Sequence, residues 1–301
     1  MYPHMIRRPG SVPTTPERLE LPDGDFVDLC WAGPSSGPLI CLFHGLEGSQ
    51  ESPYIRGIQS ALVAAGVQSV LMHFRGCSGV PNRLARGYHS GDTGDIRTLI
   101  QTLRARHSDR WLGAVGFSLG GNALLKYAGE EGQASPLDLA VAVSVPFSLS
   151  SCADRLERGV SRAYRRHLIH SLHQKVRDRA EALSASGVDV EAALESRDFR
   201  AFDTAVVAPT FGFRDAEDYY SQSSCGPFLA RIETPTLILH ALDDPFMDPG
   251  VIPTEALLSP SVTLELSPGG GHVGFVGGPA PGRARYWLDE RICAAVTAAA
   301  G

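Results

Sequence analysis

The 301 residues, 43% of them hydrophobic and 20% charged, suffice for one large core, or for a core that carries an inserted lobe. A formal net charge of −6 gives no general attraction for phosphate backbones, which argues against a nucleic-acid partner. Six cysteines, Cys30, Cys41, Cys77, Cys152, Cys225 and Cys293, show no C-x-x-C spacing, which argues against a zinc knuckle or a disulfide framework and favours a reducing cytoplasm.

The first twenty residues hold Arg7 and Arg8 with no apolar stretch behind them, so they read as an extended arm and not as a signal peptide. Two short strand-like runs then flank the turn Pro22-Asp23-Gly24, predicting an antiparallel edge. Beyond it, apolar runs of strand length alternate with helical patterns. Strands are expected at Leu39 to Phe43, Ser69 to Phe74, Trp111 to Phe117 and Leu139 to Val145, and helices at Tyr54 to Ala65, Gly91 to Ala105 and from about Gly120. This alternation predicts a mostly parallel sheet flanked by helices, an α/β fold. The longest apolar stretch, Leu137 to Phe147, is broken by Asp138 and falls far short of the roughly 20 residues that cross a bilayer, so no transmembrane segment is expected.

The alternation stops between about Leu149 and Phe228, where Leu156, Val160, Tyr164, Leu168, Leu172 and Val176 recur at helical spacing. Sheet character returns at Thr236 to Leu239 and Val262 to Leu266, and a closing helix is expected from about Ala284 to Ala299. The chain therefore divides into one core, 1–148 with 229–301, and a helical cap inserted at 149–228.

Gly116-Phe117-Ser118-Leu119-Gly120 follows a strand-like run and precedes a helical one, the setting of a nucleophile elbow. Glycines two before and two after the serine let strand and helix backbones approach closely while the serine sits in a strained turn with its hydroxyl outward. A hydroxyl needs a base to become a nucleophile and an acid to orient that base. Of ten histidines, His272 in Gly269-Gly270-Gly271-His272 alone follows the last predicted strand, and Asp243-Asp244-Pro245 lies just beyond the strand before it. The chain order Ser, Asp, His is that of this elbow motif. The oxyanion hole would draw on the amide of Leu119, next to the nucleophile, and on the amide of Leu46 in the bend His44-Gly45-Leu46-Glu47-Gly48. His44 reads as a structural residue holding that loop. A metal or organic cofactor is not called for.

The sequence resembles the YheT-like, EMB8-like branch of the α/β-hydrolases, related to the ABHD-type lipid hydrolases, over nearly its whole length. The resemblance rests on His44 to Gly48, Phe74-Arg75-Gly76-Cys77-Ser78-Gly79, Tyr88-His89-Ser90-Gly91, Gly116 to Asn122, Asp243-Asp244-Pro245-Phe246 and Gly269 to Phe275. In the cap it extends to Phe202-Asp203, Ala208 to Phe213 and Asp218-Tyr219-Tyr220. It implies an α/β-hydrolase fold and hydrolysis of carboxylic esters, of short to medium acyl chains or of lipids, by a Ser118–His272–Asp244 triad. In related hydrolases the acid sits four residues after the strand's last small or polar residue, which counted from His240 is Asp244. Asp243 is then expected to accept hydrogen bonds within its own turn. Acyl transfer to an alcohol on the same triad, and a non-catalytic binding protein on the same fold, are the alternatives. The loops around Arg75 and His89 read as braces for the sheet edge.

From Asp154 to Arg179 the cap is locally basic, with Arg155, Arg158, Arg162, Arg165, Arg166, Lys175, Arg177 and Arg179 against Asp154, Glu157 and Asp178. Such a stretch is either a solvated face or a peripheral contact for anionic lipid.

Overall fold

The computed structural model describes residues 10, 12–278 and 284–301, so most of the N-terminal arm lies outside the described residues. Strands β1 (Thr14–Glu20) and β2 (Phe26–Ala32) pair antiparallel across the Pro22-Asp23-Gly24 turn. Next come β3 (Leu39–Phe43) and β4 (Gln68–Met72), of which β4 pairs antiparallel with β2 and parallel with β3. The remaining strands, β5 (Leu112–Phe117), β6 (Leu139–Val143), β7 (Thr236–Ala241) and β8 (Val262–Ser267), continue the parallel part. Together they make one sheet in the order β1-β2-β4-β3-β5-β6-β7-β8. This is the α/β-hydrolase architecture expected from the sequence.

Strand alternation divides the core. Ile40 and Leu42 of β3 face α1 (Pro53–Ala64), while Leu39, Cys41 and Phe43 face α2 (Gly94–Arg106) and α3 (Leu119–Glu131) on the other side. Helical spacing supplies the partners: Ile55, Ile58 and Leu62 of α1 share a core with residues of the C-terminal helix, as Ile96, Leu99, Ile100 and Leu103 of α2 do with α3. Both faces are covered, which is why the central strands read as unbroken apolar runs and not as alternating ones.

Between β6 and β7 come seven α-helices, α4 (Leu149–Leu156), α5 (Ser161–Asp178), α6 (Ala180–Ala185), α7 (Val190–Glu195), α8 (Phe199–Phe202), α9 (Ala208–Phe211) and α10 (Ala216–Ser223), followed by a 3-10 helix at Gly226–Arg231. A π-helical turn, Asp203–Val207, joins α8 to α9. The apolar stripe expected through Val160 is interrupted between α4 and α5. Gly159 takes φ +56°, the helix stops between α4 and α5, and Val160 stands 80% exposed. The C-terminal helix, α11 (Trp287–Ala300), also begins later than expected, because β9 (Val276–Gly277) pairs antiparallel with β10 (Arg285–Tyr286) in a small separate sheet. Leu288, Ile292 and Val296 anchor α11 against the α1 side of the main sheet. No helix among the described residues is long and apolar enough to cross a membrane.

Candidate active site

Strand β5 ends at Phe117 and α3 starts at Leu119, so Ser118 makes the whole turn between them. It does so at φ +51°, a conformation uncommon outside glycine. Its N–H donates to Val143 O at 2.8 Å and its carbonyl accepts from Asn122 N at 3.0 Å, which lock the turn. The flanking glycines are required by close approach. A Cβ on Gly116 would stand 2.4 Å from the Gly120 carbonyl oxygen, and one on Gly120 would stand 2.5 Å from the carbonyl oxygens of Phe43 and His44.

Asp244 and His272 arrive on the loops that follow β7 and β8, two and three strands along the sheet from β5. Ser118 Oγ lies 2.8 Å from His272 Nε2, and His272 Nδ1 lies 2.9 Å from Asp244 Oδ2. An ionised carboxylate only accepts, so the proton sits on Nδ1 and Nε2 is left to accept from the serine hydroxyl. Burial pushes the Asp244 carboxyl up, but its electrostatic interaction and hydrogen bond with His272, together with the Phe246 N–H, outweigh it and hold Asp244 below its ordinary range. The His272 ring is backed by Phe246 at 4.4 Å between centroids, and Phe246 in turn by Tyr164 at 4.5 Å.

Asp243 departs from the local role expected of it. Its Oδ1 accepts from the amides of both Gly270 and Gly271 at 2.8 Å, pinning the histidine loop and not its own turn. The same loop is held on its other side by Val273 N–H donating to Ser144 Oγ at 3.0 Å. Neither contact has a local signal, since the partners stand 27 to 129 positions apart in the chain.

The bend after β3 carries the other half of the site. Gly45 N–H donates to Tyr54 Oη, Glu47 N–H to Tyr88 Oη and Gly48 N–H to Gly45 O, while Leu46 N–H has no hydrogen-bond partner among the described residues. Leu119 heads α3, where an N–H has no acceptor within the helix. His44 is fully buried; its Nδ1 lies 2.7 Å from Gly45 O and its Nε2 accepts from Phe74 N–H at 3.1 Å. Burial pushes its pKa down to about 3 despite the Gly45 carbonyl, so the ring is a neutral brace. Arg75 is likewise a brace, donating to Asp95, Asp23 and Asp25.

Residues 38–279 match the model of a family described as the alpha/beta hydrolase fold. YheT of Escherichia coli (strain K12) is 46% identical over 299 residues, covering 97% of this chain and 87% of that protein. The chain belongs to the α/β-hydrolase family. Within it, the human phospholipase ABHD3 is 29% identical, covering 90% of this chain and 68% of its own length. A monoacylglycerol lipase from Saccharomyces cerevisiae (strain ATCC 204508 / S288c) is 32% identical, covering 85% of this chain and 58% of that one. The Pyrococcus furiosus esterase Pf2001 superposes with a TM-score of 0.59 at 12% identity, covering 98% of this chain and 99% of that one, a likeness of fold. These relatives place the chain on the YheT and ABHD branch of the α/β-hydrolases, among enzymes of the esterase and lipase type.

In this α/β-hydrolase, Ser118 and His272 open into a cavity of about 630 Å³ between the sheet edge and the inserted helices. Leu149, Leu156, Tyr164, Leu168, Phe246 and Met247 are among its walls, and Glu47, Lys175 and Asp203 supply ionisable groups. The basic stretch of the insertion does not present one continuous face. Arg165 is buried and paired with Glu157, Lys175 turns inward to Glu47, and Arg179 donates to the Leu84 carbonyl. Arg158, Arg162, Arg166 and Arg177 are the ones left exposed.

Proposed function

We propose that this α/β-hydrolase cleaves carboxylic esters of apolar acyl groups through an acyl-enzyme on Ser118. The observation that carries the reading is the continuous relay Ser118–His272–Asp244, with links of 2.8 and 2.9 Å, at the wall of a largely apolar cavity. As Ser118 Oγ attacks the carbonyl carbon, its proton passes to His272 Nε2, and Asp244 stabilises the imidazolium so formed. The oxyanion is received by the amides of Leu46 and Leu119. His272 then returns the proton to the departing alkoxide, leaving the acyl group on Ser118, and a water activated by the same imidazole releases the acid. Residues 149–228 serve as the cap that shapes the acyl pocket on the core formed by 1–148 and 229–301. The six cysteines are free, which supports a reducing compartment such as the cytoplasm. The exposed arginines of α5 support a weak peripheral contact with anionic lipid.

The test is hydrolysis of p-nitrophenyl butyrate by Ser118→Ala and His272→Ala. Each substitution is expected to lower kcat by several orders of magnitude, because triad members act as a unit, while the thermal transition stays near wild type. Turnover at the wild-type rate in either variant overturns the assignment.

A further inference from the structure

Glu47 follows the proposed oxyanion donor Leu46 and holds φ +57°, a backbone conformation that a residue with a Cβ adopts only when its surroundings impose it. Those surroundings come from far away in sequence. Its N–H donates to Tyr88 Oη at 3.0 Å, and the Tyr88 hydroxyl donates back to Glu47 Oε1 at 3.0 Å. Helix α5 supplies the rest: Lys175 Nζ donates to Oε1 at 2.7 Å and Ser171 Oγ to Oε2 at 3.1 Å. Both carboxylate oxygens are thus engaged, and the side chain is only 9% exposed. Tyr88 is itself fixed, stacked on Phe74 with ring centroids 5.0 Å apart and planes within 13°.

The same helix is fastened on the opposite side of the site. Ser161, its first residue, donates from Oγ to Pro245 O at 2.7 Å, one residue beyond Asp244. Helix α5 therefore bridges the loop of the acid and the loop of the oxyanion site, and the serine and histidine lie between. A buried carboxylate whose donors come from an inserted helix couples the two: lifting α5 would strip Glu47 of its cation and a hydroxyl, and leave a strained turn with fewer restraints.

We propose that Glu47 is a positioning residue, gripped by Lys175 and Ser171 so that the Leu46 amide is aimed at the oxyanion only while α5 is seated on the core. The assignment rests on the ester-hydrolase function proposed for the site. It makes seating of the insertion, not merely shaping of the acyl pocket, a condition for the chemical step. A plain stabilising ion pair would instead affect unfolding and leave the rate of the folded enzyme alone.

The full-length chain decides between them with Glu47→Gln, Lys175→Met and the double variant, and with Gln174→Ala on the exposed side of α5 as control. Removing an oxyanion donor costs roughly a hundredfold or more in kcat, and a donor that is misaimed but present should cost about ten- to a hundredfold. Each single variant is therefore expected to lose kcat on p-nitrophenyl butyrate by that factor with KM moved less than about twofold, and the double variant to fall no further than the worse single. Amide hydrogen exchange needs no substrate, and in Lys175→Met the peptide spanning residues 44–49 is expected to exchange faster than in wild type. Unchanged exchange there overturns the proposal, as does a rise in KM at constant kcat, which would make Lys175 a substrate contact. Wild-type protein without ester turnover would overturn the hydrolase function, while the exchange of residues 44–49 would still decide whether α5 holds the turn.

Discussion

Replacing Asp243 by alanine should partly, not wholly, disable the enzyme. One carboxylate oxygen accepts two backbone N–H bonds of 2.8 Å from Gly270 and Gly271, the residues that deliver His272. Hydrogen bonds to a charged acceptor contribute about 1.5–3 kcal/mol each when sheltered. Asp243 is exposed, so water and screening reduce the pair to about 1–2 kcal/mol. The loop keeps its other ties, Val273 N–H to Ser144 Oγ and the His272–Asp244 bond itself. Alanine at 243 is then expected to lower the ratio of seated to unseated His272 by a factor of roughly 5–30, and kcat by up to that factor. Asp244→Asn should cost several orders of magnitude, because an amide there missets the histidine tautomer. The assay is steady-state hydrolysis of p-nitrophenyl butyrate by both variants, with thermal unfolding in parallel. Wild-type kcat in Asp243→Ala, or a loss as deep as that of Asp244→Asn, would refute the division of labour between the two aspartates.

Asp203 predicts a pH dependence of stability. Burial pushes its carboxyl up from the ordinary 3.8 to about 7 although the Tyr220 hydroxyl donates to it. The folded chain therefore keeps a proton that the unfolded chain releases near pH 4. The stabilisation is complete below that pH, declines as pH rises to about 7 and is flat beyond, a difference of at most about 4 kcal/mol. Asp203→Asn should flatten this slope between pH 5 and 8 in urea titrations; parallel curves for variant and wild type would exclude the assignment. For p-nitrophenyl esters from acetate to octanoate, each methylene buried in the cavity should raise kcat/KM by up to about fourfold, and a flat series or a preference for a succinyl ester would contradict an apolar acyl site. Charge reversal of Arg158, Arg162 and Arg166 together should weaken co-sedimentation with phosphatidylserine vesicles, and wild-type protein that stays in the supernatant would end that reading.

What the sequence disclosed followed the range of the forces involved. Buried parallel strands announce themselves as apolar runs, and Gly116 and Gly120 announce the turn at Ser118 because no other residue fits between the backbones there. Choosing Asp244 over Asp243 rested on the count from His240 that the family resemblance implies, with the alternation of an extended segment leaving only one of the two to face His272, but the destination of the other side chain, on Gly270 and Gly271, is set by tertiary contact and has no local signature. The same holds for Glu47 with Lys175, 128 residues apart, and for the pairing of Val276 with Tyr286 that shortens the last helix. Val160 misled in the opposite direction. It sits at helical spacing from its neighbours, yet Gly159 ends the periodicity that the spacing implies. Summed from Asp154 to Arg179, charge likewise suggested one basic face, while Arg165, Lys175 and Arg179 are held by partners within the protein.

The central claim, a serine activated by this particular relay, is tested most directly by covalent labelling. Native protein treated with a fluorophosphonate should take up one label per chain, located by peptide mass spectrometry on Ser118. Uptake should vanish in Ser118→Ala and slow by orders of magnitude in His272→Ala, in variants whose thermal transitions match wild type. Label on another residue, or labelling of His272→Ala at the wild-type rate, would contradict the account.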